Sequence, residues 1–424
     1  MKFGSLALAL ALTAVPAVAV AQGGDVARVQ AGAPFRAAVA ELDRDYDRFV
    51  AELIELTEIP APPFKEEARG RAYAAKFRAL GLTDVAIDEV GNVTGIRPGT
   101  DPRAKLVVMS AHLDTVFPEG TDVKVKREGT KLMAPGIGDD TRGLATVLAY
   151  IRALDAAKIR TRAPILFVGT VGEEGRGDLR GVRHLFTKGA YKDRIGAFFS
   201  LDGSDPTRVV HGGVGSKRYR IVFKGPGGHS YGAFGIVNPI AAMGRTIDEM
   251  YRIELPAKPR TTYAASVTGG GTSVNAIPGE VFLDIDMRSE SAEALAALET
   301  RVLGIVANAV TAENAARSTR VGKVSADPQP IGDRPAGATP PTDPLVRTTA
   351  AAVTAAGFTA TLEASSTDAN LPMSLGIPAV TIGAGGKAGR AHAEDEWVDI
   401  EKGEGVKGMS VGLLALIATA GQAR

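Results

Sequence analysis

An apolar run that leads directly into a histidine and a carboxylate occupies residues 106–114, Leu106-Val107-Val108-Met109-Ser110-Ala111-His112-Leu113-Asp114. Two similar runs follow it, Ile165 to Val171 and Ala197 to Leu201, and the clearest helical stretch, Leu144 to Ala156, lies between the first two runs. Short apolar runs that alternate with helices are typical of buried, parallel strands covered by helices on both faces. We therefore predict an α/β fold with a mostly parallel sheet, whose chemistry gathers beyond the carboxyl ends of its strands.

The composition narrows the class of protein. The chain has 424 residues, of which 45% are apolar and 23% charged, as in ordinary globular proteins. Its 49 Lys and Arg nearly balance 48 Asp and Glu, so the net charge of +1 offers no basic field for nucleic acid. The absence of Cys excludes disulfides, thiolate zinc sites, iron–sulfur clusters and cysteine nucleophiles. Any bound metal must therefore be held by His and carboxylates.

The first residues are typical of a secretory signal peptide. Lys2 precedes an apolar run from Leu6 to Val20, and Ala19-Val20-Ala21 is a small-x-small cleavage pattern. We predict that residues 1–21 are removed after Ala21 and that the mature protein is exported to the periplasm or the medium. An uncleaved membrane anchor is the alternative. No later segment reaches about 18 uninterrupted apolar residues, so we expect no stable membrane insertion.

The sequence pattern changes at Ser216, where polar and apolar residues begin to alternate. The elements expected after this point are a strand Lys217 to Lys224, a helix Pro239 to Tyr251, strands Thr262 to Thr268 and Val281 to Met287, a helix Ala292 to Ala316 and a strand Arg320 to Ser325. Their β-α-β-β-α-β order is the ferredoxin-like pattern. We therefore predict an inserted α+β domain over residues 216–326, between two segments of the catalytic domain, 22–215 and 327–424, the second of which opens with a Pro-rich linker.

Candidate chemical residues stand where the predicted strands of the α/β part end. They are His112 and Asp114, the pair Asp139-Asp140 before a helix, the pair Glu173-Glu174, Asp202 and His392. Each fragment alone has a structural alternative, such as a core histidine, a solvated turn or a helix N-cap. Because all of them are expected at one end of one sheet, the set predicts a shared metal site. Imidazoles and carboxylates suit a pair of divalent cations such as zinc.

These fragments, with Ser110 to Val116 foremost, resemble the di-zinc metallopeptidase family that includes aminoacylase, acetylornithine deacetylase, glutamate carboxypeptidase and tripeptidase T. The resemblance spans nearly the whole mature chain and implies two zinc ions per subunit, with cobalt or manganese as substitutes. It implies that the terminal ligands are His112, Glu174, Asp202 and His392 and that Asp139 bridges the two ions. It further implies that Glu173 is the general base and that the Asp114 carboxylate orients His112 through its second ring nitrogen.

The bridging position departs from the family pattern. The family usually has Asp-x-Lys-Gly-Gly there, whereas this chain has Asp139-Asp140-Thr141-Arg142-Gly143. Aligning Gly143-Leu144-Ala145 with the start of the family's helix makes Asp139 the bridge. A shift of one residue would make it Asp140, and this alternative stays open.

The resemblance identifies the insert as a lid and dimerisation domain. Gly225 to Ser230 resembles the motif whose histidine, here His229, reaches the active site of a partner subunit and stabilises the oxyanion. Asn275 and Arg288 match substrate-binding positions, the first by a hydrogen bond and the second by a charge fork to a carboxylate. The structural alternatives are a loop histidine bonded to backbone and a surface arginine. We expect a homodimer.

These inferences together predict an exported, zinc-dependent metallo-exopeptidase that hydrolyses short peptides. An aminopeptidase or dipeptidase is favoured, because in the resembled family Asp at the Asp202 position accompanies those activities. The alternative with the same fold is a carboxypeptidase or an N-acyl-amino-acid amidohydrolase. A binding protein with a vestigial site is a third reading, which the retention of Glu173 disfavours.

Overall fold

The computed structural model describes residues 23–423, so the predicted signal peptide lies outside the described residues. The helices are α1 (Gly23–Ala31), α2 (Ala33–Arg44), α3 (Tyr46–Thr57), α4 (Glu67–Ala79), α5 (Arg142–Ala156), α6 (Arg180–Thr187), α7 (Pro239–Met250), α8 (Ala292–Ala316), α9 (Pro344–Ala355), α10 (Asn370–Ser374) and α11 (Lys402–Ala420). The strands are β1 (Thr83–Ile87), β2 (Val93–Arg97), β3 (Leu106–His112), β4 (Lys126–Glu128), β5 (Lys131–Met133), β6 (Ile165–Thr170), β7 (Ile195–Leu201), β8 (Arg208–Gly213), β9 (Gly215–Lys224), β10 (Gly228–His229), β11 (Thr261–Gly270), β12 (Ala276–Ile277), β13 (Glu280–Ser289), β14 (Ser325–Arg334), β15 (Gly337–Ala338), β16 (Thr361–Ser365), β17 (Ala379–Ile382), β18 (Lys387–Gly389) and β19 (Trp397–Asp399).

The largest sheet has nine strands in the order β1-β2-β6-β3-β7-β17-β8-β15, with β16 beside β8. Its four central strands, β6, β3, β7 and β17, are parallel to one another. The pairs β1–β2, β2–β6, β17–β8 and β15–β8 are antiparallel. The α/β prediction is therefore confirmed. The sheet is mixed, and its parallel part is the centre that the apolar runs predicted.

Alternate residues of the central strand β3 pack into separate hydrophobic cores on opposite faces of the sheet. Val107, Met109 and Ala111 of β3 pack with residues of α1 to α5, α9 and α11. Leu106 and Val108 of the same strand pack on the opposite face, with α6 and α10. Because helices cover both faces, every residue of β3 is buried, which is why its sequence is continuously apolar rather than alternating.

The insert has its own sheet of four antiparallel strands, in the order β11-β13-β9-β14. Helices α7 and α8 pack on one face of this sheet around the buried residues Leu283, Ile285 and Val302. Apart from the short strands β10 and β12, the elements follow one another along the chain as β9-α7-β11-β13-α8-β14, the β-α-β-β-α-β order of the ferredoxin-like pattern.

One prediction about the end of the insert is wrong. The last strand is Ser325–Arg334 rather than Arg320 to Ser325, so this strand runs past the predicted domain boundary at residue 326. The first part of the predicted Pro-rich linker is thus strand β14. Pro328 and Pro330 are tolerated there because β14 is an edge strand, which needs ladder hydrogen bonds on one side only.

One helix within the described residues, α8, is long and apolar enough to cross a membrane by length and composition alone. Leu295, Leu298, Val302 and Val306 on this helix are buried in the core of the insert. Packing against the sheet accounts for these apolar side chains of α8.

Candidate metal centre

The predicted site residues come from the ends of neighbouring parallel strands. His112 is the last residue of β3, Glu173 and Glu174 follow β6, and Asp202 follows β7. Because these strands are parallel, their carboxyl ends meet at one edge of the sheet. His392 reaches this edge from the loop between β18 and β19, which belong to a small sheet with β4 and β5.

A cavity of about 390 Å³ opens at this edge. Its lining includes four of the five predicted metal ligands together with the predicted general base: Asp139, Glu174, Asp202, His392 and Glu173. His112, the fifth predicted ligand, is buried and contacts Asp139. Ligand atoms of His112, Asp139 and Glu174 all lie within 4.8 Å of one another. The structure thus brings all five predicted ligands together.

Asp139 lies between the two imidazoles. Its Oδ1 is 2.9 Å from His112 Nε2, and its Oδ2 is 3.2 Å from His392 Nε2. His392 Nε2 is also 3.0 Å from Glu174 Oε1. Asp140 has a different environment, because its Oδ2 accepts the backbone N–H of His112 at 2.9 Å. The geometry at the bridging position therefore favours Asp139 over the open alternative, Asp140.

The interpretation of Asp114 needs a correction. The second ring nitrogen of His112, Nδ1, lies 3.0 Å from the backbone carbonyl oxygen of Asp114 and 3.7 Å from its carboxylate. The carboxylate instead accepts two backbone N–H groups, from Glu173 at 3.0 Å and from Glu174 at 2.8 Å. Backbone amides are strong donors that must be satisfied when buried, so they engage the carboxylate. A proton on Nδ1, donated to the carbonyl, leaves Nε2 of His112 free as a ligand.

Three groups of this cluster have shifted pKa values. Burial, followed by the charge of Asp139, raises the pKa of Asp202 to about 7. Burial also raises the pKa of Glu173 well above its usual value, and the Arg334 guanidinium opposes that rise. Hydrogen bonds to Asp139 and Glu174 raise the pKa of His392 to about 10. Carboxylates packed this closely need cations beside them, and the imidazole and carboxylate donors fit zinc.

Arg334 is a site residue that the sequence reasoning missed. Its Nη1 donates to Glu173 Oε1 at 3.1 Å and to Ser366 Oγ at 3.2 Å, and its Nη2 donates to the backbone oxygen of Glu173. The residue was hidden inside the stretch interpreted as a linker. Its position as the last residue of β14 brings a cation of the insert next to the predicted general base.

Two arginines of the insert share one aspartate on the cavity wall. Arg218 on β9 donates from Nε to Asp286 Oδ1 at 2.9 Å, and Arg288 on β13 donates from Nε to Asp286 Oδ2 at 2.8 Å. Both arginines line the cavity. Two guanidinium groups on one carboxylate leave a net positive charge, which is suited to a substrate anion. Arg288 was predicted as a substrate-binding residue. Arg218 was missed, because the alternation of polar and apolar residues in β9 shows only that Arg218 lies on the polar face of a strand.

His229 and Asn275 lie elsewhere in the insert, on and directly beside the short ribbon of β10 and β12. His229 pairs with Ala276, and Asn275 accepts the backbone N–H of Ser230 through its own backbone oxygen at 2.9 Å. Neither is among the described residues that line the cavity of their own chain. His229 Nδ1 accepts the backbone N–H of Tyr231 and of Gly232, both at 3.2 Å, so the ring proton resides on Nε2. The exposed imidazole therefore presents a hydrogen-bond donor.

Comparison with known proteins gives a consistent result. A family model described as peptidase family M20/M25/M40 matches residues 108–416. A succinyl-diaminopimelate desuccinylase from Burkholderia ambifaria is 29% identical over 251 residues, which cover 54% of this chain and 66% of the relative. A Pyrococcus abyssi hydrolase named for LysW-lysine and LysW-ornithine is 33% identical over 129 residues, which cover 30% of this chain and 34% of that relative. The chain thus spans between about one third and 66% of the length of these relatives.

The fold has close structural counterparts. The crystal structure of aminopeptidase PepT from Bacillus cereus superposes with a TM-score of 0.71 and 22% sequence identity, and covers 88% of this chain and 98% of that chain. At this level of identity the likeness shows a shared fold.

Proposed function

Because the chain belongs to peptidase family M20/M25/M40, whose hydrolases act on peptide or amide bonds, we propose that it is a zinc-dependent exopeptidase of short peptides. The observation that carries this proposal is the carboxylate of Asp139, which contacts His112 through one oxygen and His392 through the other. A carboxylate placed in this way between two imidazoles is suited to bridging two cations. Dipeptides and tripeptides are the substrates we favour.

Five side chains would hold the metal ions. They are His112, Asp139, Glu174, Asp202 and His392, with Asp139 as the bridge between two zinc ions, for which cobalt or manganese can substitute. When bound, such a pair of ions acidifies a water molecule and polarises the carbonyl group of the substrate.

Glu173 is the general base in this proposal. It lines the cavity next to Glu174, and its main chain is held by Asp114 and Arg334. In this role it takes the proton of the attacking water and returns it to the leaving amine. The raised pKa of Glu173 favours the first of these steps, because a more weakly basic carboxylate would accept the proton of the water less readily.

His229 acts in a second copy of the chain in this proposal. Its Nε2–H donor is exposed on a ribbon outside the cavity of its own chain, together with Tyr231 and Phe234, which are 89% and 85% exposed. A homodimer that places this ribbon at the partner's cavity would give the oxyanion one hydrogen-bond donor, an interaction typically worth about 3 kcal/mol.

The basic wall of the cavity supports recognition of a free carboxylate. Arg218 and Arg288 share Asp286, so one of the two positive charges is left for the substrate. A dipeptide carries such a carboxylate one residue from the scissile bond. The second candidate function is hydrolysis of N-acyl amino acids, which carry the same group. The similarity to a succinyl-diaminopimelate desuccinylase favours this candidate.

A hydrolysis panel tests the proposal. Purified protein with zinc is assayed on free dipeptides, N-acyl amino acids and dipeptides amidated at the carboxyl end, each with and without a chelator. We expect cleavage of free dipeptides that the chelator abolishes and added zinc restores. Cleavage of the N-acyl substrates alone would establish the second candidate. Activity that survives full metal removal, or no cleavage of any peptide or amide, would contradict the proposal.

Export is a separate part of the proposal. The apolar run Leu6 to Val20 and the Ala19-Val20-Ala21 pattern support removal of residues 1–21. Intact-mass analysis of the protein expressed with its leader in a Gram-negative host is the test. We expect a periplasmic species that begins at Gln22, and an unprocessed, membrane-bound species would instead establish the anchor alternative.

A further inference from the structure

Glu396 is a buried carboxylate that neither the sequence reasoning nor the proposed chemistry uses. It is 1% exposed and lies four residues after His392. Its Oε1 accepts the backbone N–H of Gly138 at 2.7 Å and that of Asp139 at 2.8 Å. Its Oε2 accepts the backbone N–H of Gly136 at 3.0 Å. One side chain thus binds the main chain of the loop that carries the bridging Asp139.

The loop sequence is adapted to this contact. Gly136 has a φ of +74°, a conformation that favours glycine. A Cβ atom on Gly138 would lie 3.0 Å from Glu396 Oε1, and one on Gly136 would lie 2.4 Å from Thr115 Cγ2. Glycine at 138 therefore leaves room for the carboxylate, and glycine at 136 lets the loop turn beside Thr115. The motif Gly136-Ile137-Gly138-Asp139 supplies a binding loop for Glu396 as well as the aspartate.

Glu396 also connects the Asp139 loop to the His392 loop. Its backbone oxygen accepts the N–H of Ala134 at 3.0 Å, and the next residue, Trp397, pairs with Met133 across β19 and β5. The two loops meet again at their tips, where His392 Nε2 lies 3.2 Å from Asp139 Oδ2. Side-chain and main-chain contacts of Glu396 thus join the two loops that carry these groups.

Two other predicted ligands, His112 and Glu174, also have a main-chain N–H bonded to a buried carboxylate. The backbone N–H of His112 is bonded to the buried carboxylate of Asp140 at 2.9 Å, and that of Glu174 to the buried carboxylate of Asp114 at 2.8 Å. His112, Asp139 and Glu174 are the three residues whose ligand atoms lie within 4.8 Å of one another. Each of them therefore has its main chain bonded to a buried carboxylate, and Glu396 is the one that holds Asp139.

We infer that Glu396 is a positioning residue of the metal centre, whose carboxylate fixes the main chain at Asp139 so that its two oxygens face His112 and His392. The inference rests on the proposed metal centre and needs no substrate. Groups that orient metal ligands typically change metal affinity or activity by about 10- to 100-fold when they are removed. Loss of the Glu396 carboxylate is expected to weaken zinc binding within that range.

The test measures zinc binding directly, by chelator competition and elemental analysis, on the wild type and on Glu396→Gln. The glutamine variant keeps the side-chain volume but has one acceptor oxygen where the glutamate has two. Glu394→Gln is the matched control, because Glu394 is an exposed carboxylate of the same loop. Gly138→Ala disturbs the same contact by changing the loop rather than the carboxylate, because the added Cβ would lie 3.0 Å from Glu396 Oε1. We expect about 10- to 100-fold weaker zinc binding in Glu396→Gln and Gly138→Ala and no change in Glu394→Gln.

Two further readouts separate positioning from general stability, and the activity of the wild type separates this inference from the proposed function. The absorption spectrum of the cobalt-loaded protein should change in Glu396→Gln, while the thermal unfolding temperature of the metal-free protein stays near that of the wild type. Wild-type zinc affinity and cobalt spectrum in both loop variants would overturn the inference. A loss of metal-free stability that accounts for the weaker zinc binding would overturn it as well. An inactive wild type that still binds two zinc ions would contradict the proposed hydrolysis and leave this inference standing.

Discussion

Arg334 Nη1 lies 3.1 Å from Glu173 Oε1, and both side chains are almost completely buried. The arginine ends the edge strand of the insert, whereas the glutamate follows a central strand of the main sheet. The insert therefore touches the proposed general base directly. Any movement of the insert relative to the main sheet would change the charge next to Glu173.

Arg334→Met should destabilise the protein, because it leaves the Glu173 carboxylate buried without a cation. Removing one partner of a buried ion pair typically costs about 3–5 kcal/mol in the free energy of unfolding. Urea denaturation of the metal-free protein measures the loss. Adding Glu173→Gln to this variant should recover much of it, since the unpaired charge is then gone. Equal urea midpoints for the wild type and Arg334→Met would show that the pair contributes nothing.

Glu173→Ala should lower turnover, whereas Glu174→Ala should lower the zinc content. Loss of a general base typically lowers turnover by about 10²- to 10⁴-fold, and we expect Glu173→Ala to do so with both zinc ions retained. Glu174→Ala should instead reduce the zinc content, because Glu174 is a proposed ligand. Elemental analysis alongside the rate assay distinguishes the two effects. A Glu173→Ala protein that has lost a metal ion would make Glu173 a ligand.

Asp368 should make the metal-free protein less stable as the pH rises. Its Oδ1 lacks a hydrogen-bond partner in the described structure, and burial raises its pKa from 3.8 to about 6. The folded state therefore binds more protons than the unfolded state between these values, so stability falls as the pH rises through that window. The total loss is about 3 kcal/mol.

Asp368→Asn removes this dependence. The variant should be more stable than the wild type by up to about 3 kcal/mol at pH 7, and the difference should vanish below pH 4. Urea midpoints of the chelated proteins across that range are the measurement. Asp327→Asn is the control, because Asp327 is exposed and should give the wild-type profile. A pH-independent difference for Asp368→Asn would exclude titration of this carboxylate.

Arg218→Met should raise KM for substrates with a free carboxylate by about 10- to 100-fold, since a hydrogen bond to a charged group is typically worth about 1.5–3 kcal/mol. It should have little effect on the same substrates amidated at the carboxyl end. Arg220→Met is the matched control. Arg220 lies on the same face of β9 but is bonded through two nitrogens to Asp284, both at 2.7 Å, outside the cavity lining. Equal losses on free and amidated substrates would exclude carboxylate recognition by Arg218.

His229 should complement Glu173 across a dimer. Homodimers of His229→Ala and of Glu173→Ala should both be inactive, but a mixed dimer has one site in which both groups are intact. Mixing the two variants under subunit exchange should therefore restore up to about half the activity of a wild-type dimer in each heterodimer. Mass spectrometry confirms the exchange. If exchange occurs and no activity returns, His229 does not act in the partner's site.

Local sequence was sufficient for the fold class and for the neighbourhood of the site. The apolar run 106–110 predicted a buried strand, and the parallel centre of the sheet then required His112, Glu173 and Asp202 to meet at one edge. These inferences succeeded because burial on both faces and the position of a residue at a strand end are properties of short segments. Family membership confirms the resemblance that these residues carried. The signal peptide, the dimer and the role of His229 stay predictions.

The atoms that contact one another depended on pairings between distant segments. The Pro-rich stretch after Ser325 became an edge strand because β9 offered a free side, which no local pattern shows. Arg334 meets Glu173 across 161 residues, and Glu396 meets the Asp139 loop across 257 residues. The Asp114 carboxylate is hydrogen-bonded to backbone amides of the loop after the neighbouring strand β6, whereas the imidazole of His112 is hydrogen-bonded to the Asp114 carbonyl. A buried donor or acceptor must find a partner among the groups that folding places around it, and that set is defined by the tertiary structure.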